Sequence, residues 1–200
     1  MTNWIHHLTV LSAQVVDLIP LQKEHFPQLV YLSKDKRIWE FYIFDWYDSE
    51  KFLDVLKIAI VEKEKGTQFP FIIYHKPEKK IIGSTRFLEI QPLHRKLEIG
   101  WTWLHSDYWG TEVNLECKLL LLTFCFENLQ AIRVQLKTDE NNLRSRKAIE
   151  KIGGQFEGIL RHDMLRDNET KRNSALYSIL DNEWNNVKTN LTHLYENKKK

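Results

Sequence analysis

The segment Trp109–Asn114 has the composition and position of an anion-binding turn. It follows Leu97–Leu104, whose side chains alternate as in a half-buried β-strand, and it leads into the apolar-faced segment Leu115–Leu129. A tight turn between a strand and a helix leaves backbone N–H groups unpaired at the positive end of the helix dipole. The sequence therefore predicts a site here for an anion such as a pyrophosphate.

A second polar segment, Asp139–Gly153, predicts another helix downstream of the turn. Asn141 and Asn142 are both candidates for its N-cap, because an Asn side chain accepts hydrogen bonds from the first N–H groups of a helix. The helix is expected to end at Gly153, since glycine adopts the left-handed conformation that closes many helices.

These two segments, in this order and spacing, resemble the acetyl-CoA site of the GNAT N-acetyltransferase superfamily. The resemblance covers roughly residues 8–180 and is closest to the branch that acetylates the N-termini of ribosomal proteins. In that family a Gln/Arg-x-x-Gly-x-Gly/Ala turn holds the pyrophosphate, and Trp109–Asn114 occupies its place. Glu112 stands where a Gly is usual and Asn114 where a small residue is usual, whereas Asp139–Arg146 is close to the family pattern.

The resemblance implies how acetyl-CoA would be held. Backbone N–H groups of the turn would bind the phosphates, and strands that splay after Leu97–Leu104 would pair with the pantetheine arm as with an added strand. Asn142 would bridge the pantetheine and the turn, and Arg146 would meet phosphate. The predicted cofactor contacts are Trp103, Leu104, Trp109, Gly110, Thr111, Glu112, Val113, Asn114, Asn142, Ser145 and Arg146.

Glu98 and Ser145 are the predicted catalytic residues. Acetyl transfer from a thioester to an amine needs a group that takes the ammonium proton and help for the departing thiolate. Glu98 lies on the strand that resembles the family's central one, where many members place a base; an ion pair at a strand end is the alternative. Many relatives use a Tyr acid at the position that Ile149 occupies here. Ser145 matches a Ser that the ribosomal-protein branch places near the thioester; a helix Ser bonded to backbone is the alternative.

Aromatic residues are concentrated in Arg37–Tyr47. They either pack a short helix onto the core or form the wall of a substrate pocket. Loops on a rigid scaffold usually decide specificity, so the predicted acceptor contacts come from this segment and a nearby strand. They are Trp39, Tyr42, Trp46 and Arg86. The acceptor amine, a protein N-terminus or a small molecule, stays open.

Glu112 raises a conflict with the predicted pyrophosphate site. Two like charges ~5 Å apart repel by about 3 kcal/mol at an effective dielectric constant near 20. We therefore expect the Glu112 carboxylate to point away from the phosphates. Glu112 and Ile149 also keep an alternative open, a non-catalytic acyl-CoA-binding or interaction protein with the same fold.

The patterns along the rest of the chain predict an α+β fold around a central mixed, mostly antiparallel sheet, splayed at the cofactor site and flanked by helices. Asp48 predicts the N-cap of a helix over Ser49–Lys65. Phe69–His75 and Ile81–Ile90 flank a polar turn and predict a hairpin. The parallel part of the sheet is expected within the strand–helix–strand unit Leu97–Thr138.

Length and composition predict one domain over residues 1–200, with a core at about 8–180 and a C-terminal helix and Lys-rich tail in 181–200. The net charge of +2 is too balanced to indicate nucleic-acid binding. No apolar run approaches the ~20 residues that span a membrane, and Met1–Val10 lacks a signal-peptide pattern, so we expect a cytoplasmic protein without a membrane partner.

Two cysteines, Cys117 and Cys125, fall in one predicted helix. Their spacing separates them by ~12 Å, too far for a disulfide. Neither has partners at metal-ligand spacing, and no metal site is predicted. Family resemblance alone suggests a homodimer.

Overall fold

The computed structural model describes residues 4–199, which form one eight-stranded sheet flanked by helices. The strands are β1 Leu11–Ser12, β2 Val16–Pro20, β3 Phe69–His75, β4 Lys80–Gln91, β5 Lys96–Leu104, β6 Arg133–Asp139, β7 Gln155–Leu165 and β8 Lys171–Leu180. Their order across the sheet is β1-β2-β3-β4-β5-β6-β8-β7. Within the described residues only β5 and β6 pair in parallel, which confirms the predicted mixed, mostly antiparallel sheet.

Helices cover both faces of the sheet. They are α1 Phe26–Leu32, α2 Ser49–Glu64, α3 Val113–Thr123, α4 Leu143–Lys151 and α5 Trp184–Lys198. One apolar core joins α3, α4 and α5 to what we term the α3 face of the sheet. A second core, rich in aromatic residues, joins α1 and α2 to the opposite, α2 face. Within residues 4–199, no helix has both the length and the apolar character that crossing a bilayer requires.

The predicted helix after Asp48 is present as α2. The Asp48 carboxylate accepts hydrogen bonds from the N–H groups of Glu50 and Lys51, at 3.0 and 3.3 Å. These bonds satisfy two of the N–H groups that a helix start leaves unpaired. Phe52 and Leu56 bury one helical face against the sheet, so capping and apolar spacing together account for the helix.

Glu116 fixes α3 to the edge of the sheet. Its carboxylate, 2% exposed, accepts hydrogen bonds from the N–H groups of Gln14, Val15 and Val16 at 3.1, 2.9 and 2.7 Å. It also accepts one from the hydroxyl of Tyr195 on α5. A buried charge is stable when its lone pairs are satisfied in this way, so one side chain joins three parts of the fold.

The parallel pair is short, and its two strands then separate. β5 and β6 pair only from Lys96–Glu98 to Arg133–Gln135, after which each continues without pairing to the other. Trp101 has a positive φ of 48°, and the pairing of β4 with β5 shifts register in this region. Such a bulge bends a strand away from its neighbour. The separation of β5 from β6 confirms the predicted splay of the sheet.

Candidate active site

A cavity of about 480 Å³ occupies the opening between β5 and β6. On the α3 face it is lined by Asn114, Leu115 and Lys118 of α3 and by Ser145, Ala148 and Ile149 of α4. On the α2 face it is lined by residues that connect α1 to α2, namely Ile38, Phe41, Tyr42, Ile43 and Trp46. The walls of this one cavity therefore come from both faces of the sheet.

The turn between β5 and α3 is held by side-chain bonds to the backbone. Trp109 Nε1 donates to the carbonyl oxygen of Leu104 at 2.9 Å, and Thr111 Oγ1 donates to that of Tyr108 at 2.8 Å. Gly110 has a φ of +74°, which favours glycine. The turn thereby reaches the start of α3 beside the cavity, where a helix N-terminus can hold an anion.

Glu112 and Val113, two of the predicted cofactor contacts, do not line the cavity. Val113, the first residue of α3, is buried in the core between α3 and the sheet. Glu112 has a φ of −69° and a ψ of −18°, in the right-handed helical region, so its backbone is unstrained without a glycine. The direction of the Glu112 carboxylate relative to bound phosphates, and its effect on cofactor affinity, stay predictions.

The start of α4 forms another part of the cavity wall. Of the two N-cap candidates, Asn142 is the cap, and its Oδ1 accepts a hydrogen bond from the Ser145 N–H at 2.9 Å. Arg146 does not reach the cavity, because its guanidinium donates to the Tyr177 hydroxyl at 2.9 Å and to the Glu140 carbonyl oxygen at 3.2 Å. The structure thus directs the side chain of Arg146 away from the predicted phosphate site.

Arg144, two residues before Arg146, is the arginine of α4 that reaches the cavity. Its guanidinium lies 4.1 Å from the centre of the Trp109 ring, next to the turn, and it lines the cavity. Residues two apart point to opposite sides of a helix, about 200° around the axis, so the choice between the two arginines depends on how α4 packs. Sequence spacing alone did not identify Arg144.

Glu98 lies where β5 and β6 begin to separate, and it lines the cavity. The side chain is 4% exposed, and its Oε2 accepts a hydrogen bond from Gln135 Nε2 at 2.8 Å. Burial raises the pKa of Glu98, and the nearby Lys137 opposes that shift. A carboxylate with a raised pKa is a stronger base near neutral pH.

The side chain of Glu98 points away from the α3 face. Its neighbours Leu97 and Ile99 pack into the core under α3, and successive side chains of a strand alternate between faces. Glu98 is therefore accessible from the side of the cavity formed by the segment between α1 and α2. That side is separate from the turn at Trp109.

The predicted acceptor contacts divide into two pairs. Tyr42 and Trp46 line the cavity. Trp39 lies behind them, with its ring centre 5.0 Å from that of Tyr42 and 5.3 Å from that of Trp46. Arg86 also lies outside the wall, where its guanidinium stacks 4.4 Å from the ring centre of Trp101, a cavity residue. The structure thus brings only the first pair to the cavity, while the second pair supports its wall.

Lys118 is a cavity residue that the sequence analysis missed. It is 7% exposed, and its Nζ donates to Thr102 Oγ1 at 2.9 Å. The Thr102 hydroxyl in turn shares a hydrogen bond with Thr85 Oγ1 at 2.7 Å. Burial lowers the pKa of Lys118 to about 8. The available signal was a charged pair, Glu116 and Lys118, inside the largely apolar run Leu115–Leu122, because a charged residue is rarely buried without a specific partner.

Comparisons with known proteins agree with this geometry. Residues 16–155 match the family model of the acetyltransferase (GNAT) domain. The Bacillus subtilis protein YdaF, whose name provisionally assigns it to the ribosomal N-acetyltransferases, is 31% identical over 108 residues. That match covers 54% of this chain and 58% of YdaF, which is less than two thirds of the relative's length.

Solved structures extend the comparison to nearly the whole chain. A structure from T. thermophilus, provisionally called an acetyltransferase, is 31% identical with a TM-score of 0.82 and covers 92% of this chain and 96% of its own. Mycobacterium smegmatis RimJ in complex with CoA-disulfide is 20% identical, with a TM-score of 0.76 and 93% of each chain covered. At 20% identity, the likeness to RimJ shows a shared fold.

Proposed function

We propose, from the premise that this chain belongs to the GNAT family of acetyltransferases, that it moves the acetyl group of acetyl-CoA directly to a primary amine. Both molecules would meet in the opening between β5 and β6. The observation that carries this proposal is the position of Glu98, a buried carboxylate at the start of that opening, in a cavity that is lined from both faces of the sheet.

The α3 side of the cavity suits the cofactor. Acetyl-CoA, when bound, supplies a thioester whose acetyl group an amine can take. N–H groups at the Gly110–Asn114 turn and the guanidinium of Arg144 are the groups that would hold its phosphates. The backbone of Trp103 and Leu104, on the part of β5 that has no β6 partner, would pair with the pantetheine arm.

The α2 side of the cavity suits the acceptor. Tyr42, Trp46 and Trp101 form an aromatic wall there, next to Glu98. An amine that enters from this side reaches Glu98, which takes its proton directly or through water and makes the nitrogen nucleophilic. Ser145 lies across the opening, on α4, where its hydroxyl can donate to the departing sulfur.

The similarity to a protein named among ribosomal N-acetyltransferases supports a protein N-terminus as one acceptor class. A small-molecule amine fits the same chemistry, because the reacting group is the same. Ile149 lines the cavity at the place where many relatives have an acidic Tyr, and this keeps a second candidate function open. That candidate is an acyl-CoA-binding protein that does not transfer the acetyl group.

Calorimetric titration with acetyl-CoA, followed by a thiol-release assay over a panel of amines and N-terminal peptides, tests the proposal. We expect saturable binding, and thiol release that depends on the amine. Binding without thiol release for any amine would favour the non-catalytic candidate. The absence of binding at millimolar acetyl-CoA would overturn both.

A further inference from the structure

We propose that Lys118 is a further catalytic residue, whose ammonium group stabilises the negative charge on the coenzyme A sulfur and gives that sulfur its proton. This inference rests on the proposed function and names a group that acts at the leaving thiol.

The position of Lys118 places it on the cofactor side of the cavity. It follows Asn114 by four residues on α3, so the two side chains lie on one face of the helix, and both line the cavity. Its Nζ bonds to Thr102, which lies on β5 between Glu98 and the Trp109 turn. A cofactor with its phosphates at the turn and its acetyl group near Glu98 would therefore lie beside Lys118.

The charge of Lys118 is not neutralised by the protein. Among residues 4–199, no carboxylate forms an ion pair with it, and its one hydrogen bond is to the neutral hydroxyl of Thr102. The nearby Glu116 is bonded to the N–H groups of Gln14, Val15 and Val16 and to Tyr195. A buried cation without a counter-ion is costly, and an anion bound in the cavity would offset that cost.

The departing sulfur is the anion that best matches this position. The phosphates already have the N-terminus of α3 and Arg144. The thioester carries no charge before transfer, so a cation beside the sulfur stabilises the transition state more than the ground state. On this side of the cavity the usual Tyr acid is replaced by Ile149, and the hydroxyl of Ser145 is a weak acid.

The proton affinity of Lys118 also fits the role. Burial lowers its pKa to about 8. An ordinary thiol has a pKa of about 8.5, so proton transfer from the ammonium to a thiolate is close to balanced in free energy. Groups with matched pKa values transfer protons efficiently in both directions.

The ammonium of the acceptor loses one proton to Glu98, and its nitrogen forms a bond to the acetyl carbon. The C–S bond breaks, its electron pair stays on sulfur, and the sulfur takes a proton from Lys118. The neutral amine of Lys118 then accepts the second proton that the new amide nitrogen must lose, while Glu98 releases its proton to solvent.

Glu98 and Lys118 lie on opposite sides of the opening, because Glu98 points away from the α3 face and Lys118 approaches from α3. They form no ion pair with each other in the part of the chain that the structure describes. A base and an acid can therefore act at the two ends of the reacting group without cancelling each other's charge.

The test compares Lys118→Met, which removes the charge at similar volume, with Lys118→Arg, which keeps it. Lys57→Met, at an exposed position on α2, is the control. The first readout is the pKa of the thiol of bound coenzyme A, followed by the ultraviolet absorbance of the thiolate against pH. We expect this thiol pKa to be lower in the wild-type protein than in Lys118→Met by about one unit or more. That difference is a shift of about tenfold or more toward the bound thiolate.

The second readout separates chemistry from binding. In Lys118→Met we expect kcat to fall by about 10²-fold while the Kd for acetyl-CoA stays within about threefold. An unchanged thiol pKa with unchanged kcat would overturn the inference. A large loss of affinity at unchanged kcat would also overturn it, because the lysine would then bind phosphate.

Folding of the variant can be checked separately. Lys118→Met removes the desolvation cost of an unpaired buried charge and leaves the Thr102 hydroxyl its hydrogen bond with Thr85, so we expect it to fold. If it does not fold, Lys118→Gln gives the same two readouts. If the wild-type protein fails to bind acetyl-CoA, the proposed function is wrong, and this result is distinct from failure of the Lys118 variants alone.

Discussion

Glu98 and Gln135 form the last residue pair before β5 and β6 separate, and the Gln135 amide donates to Oε2 of Glu98 at 2.8 Å. The hydrogen bond fixes the carboxylate at the start of the opening and leaves its other oxygen without a bond from Gln135. A base in this position is held by the backbone pairing of two strands, which is more rigid than a loop.

Glu98→Gln tests this assignment. The amide keeps the shape of the side chain but cannot take a proton, so we expect kcat to fall by roughly 10²–10⁴ without a change in acetyl-CoA affinity. Initial rates and calorimetry measure the two quantities. Glu64→Gln, at the exposed end of α2, is the control. A kcat that stays at the wild-type value near neutral pH would remove Glu98 from the mechanism.

The dependence of kcat/KM on pH gives a second test of Glu98 as the base. Burial raises the pKa of Glu98 above its ordinary value of 4.5, and the base is active only when it is deprotonated. In the wild-type protein kcat/KM should therefore rise with pH in a range above pH 4.5, and Glu98→Gln should lose that rise. If kcat/KM of the variant still rises in this range, another group is titrating.

Arg144 and Arg146 provide a matched pair for the phosphate site. Arg144→Met should raise the Kd for acetyl-CoA by about tenfold, since a charge-assisted hydrogen bond is worth about 1.5–3 kcal/mol. Arg146→Met should leave the Kd almost unchanged, because Arg146 bonds to Tyr177 and the Glu140 backbone. Calorimetry measures both. The reverse order of effects would show that α4 presents a different face to the cofactor.

Glu112→Ala tests the unusual residue of the turn. Since Glu112 lies outside the cavity wall, its removal should change the Kd for acetyl-CoA by less than about threefold, or ~0.7 kcal/mol. A tenfold gain in affinity would mean that the carboxylate opposes the phosphates. The non-catalytic candidate would then become the better one.

Glu116→Ala should affect stability most strongly. It leaves the N–H groups of Gln14, Val15 and Val16 and the Tyr195 hydroxyl without their acceptor, and we expect the free energy of unfolding to fall by about 3 kcal/mol. Urea denaturation measures this change. Glu50→Ala, at an exposed position near the start of α2, provides the comparison. Equal stability of the two variants would show that Glu116 does not anchor α3.

Local patterns were sufficient to predict much of the fold. The Asp48 cap, the hairpin of β3 and β4 and the cap at Asn142 each depend on neighbouring residues, so the sequence contains the information. The predicted helix after the turn is partly different, because regular α3 ends at Thr123 and a π-helical turn, Phe124–Asn128, follows it.

Side-chain direction within the site was harder to predict. Trp39 and Tyr42 belong to one aromatic cluster, yet only Tyr42 reaches the cavity. Arg144 and Arg146 are equally good phosphate ligands by residue type, and the packing of α4 decides between them. Lys118 was not predicted as a site residue, because only the packing of α3 against β5 brings its Nζ to Thr102. These outcomes depend on contacts between distant parts of the chain.

The order of substrate addition tests the central claim, direct transfer between two molecules bound together. Initial rates are measured over a grid of acetyl-CoA and amine concentrations, and the protein mass is determined after incubation with acetyl-CoA alone. We predict intersecting double-reciprocal lines and an unmodified protein. Parallel lines, together with a mass increase of one acetyl group, would contradict the account, because they indicate a covalent acetyl-enzyme.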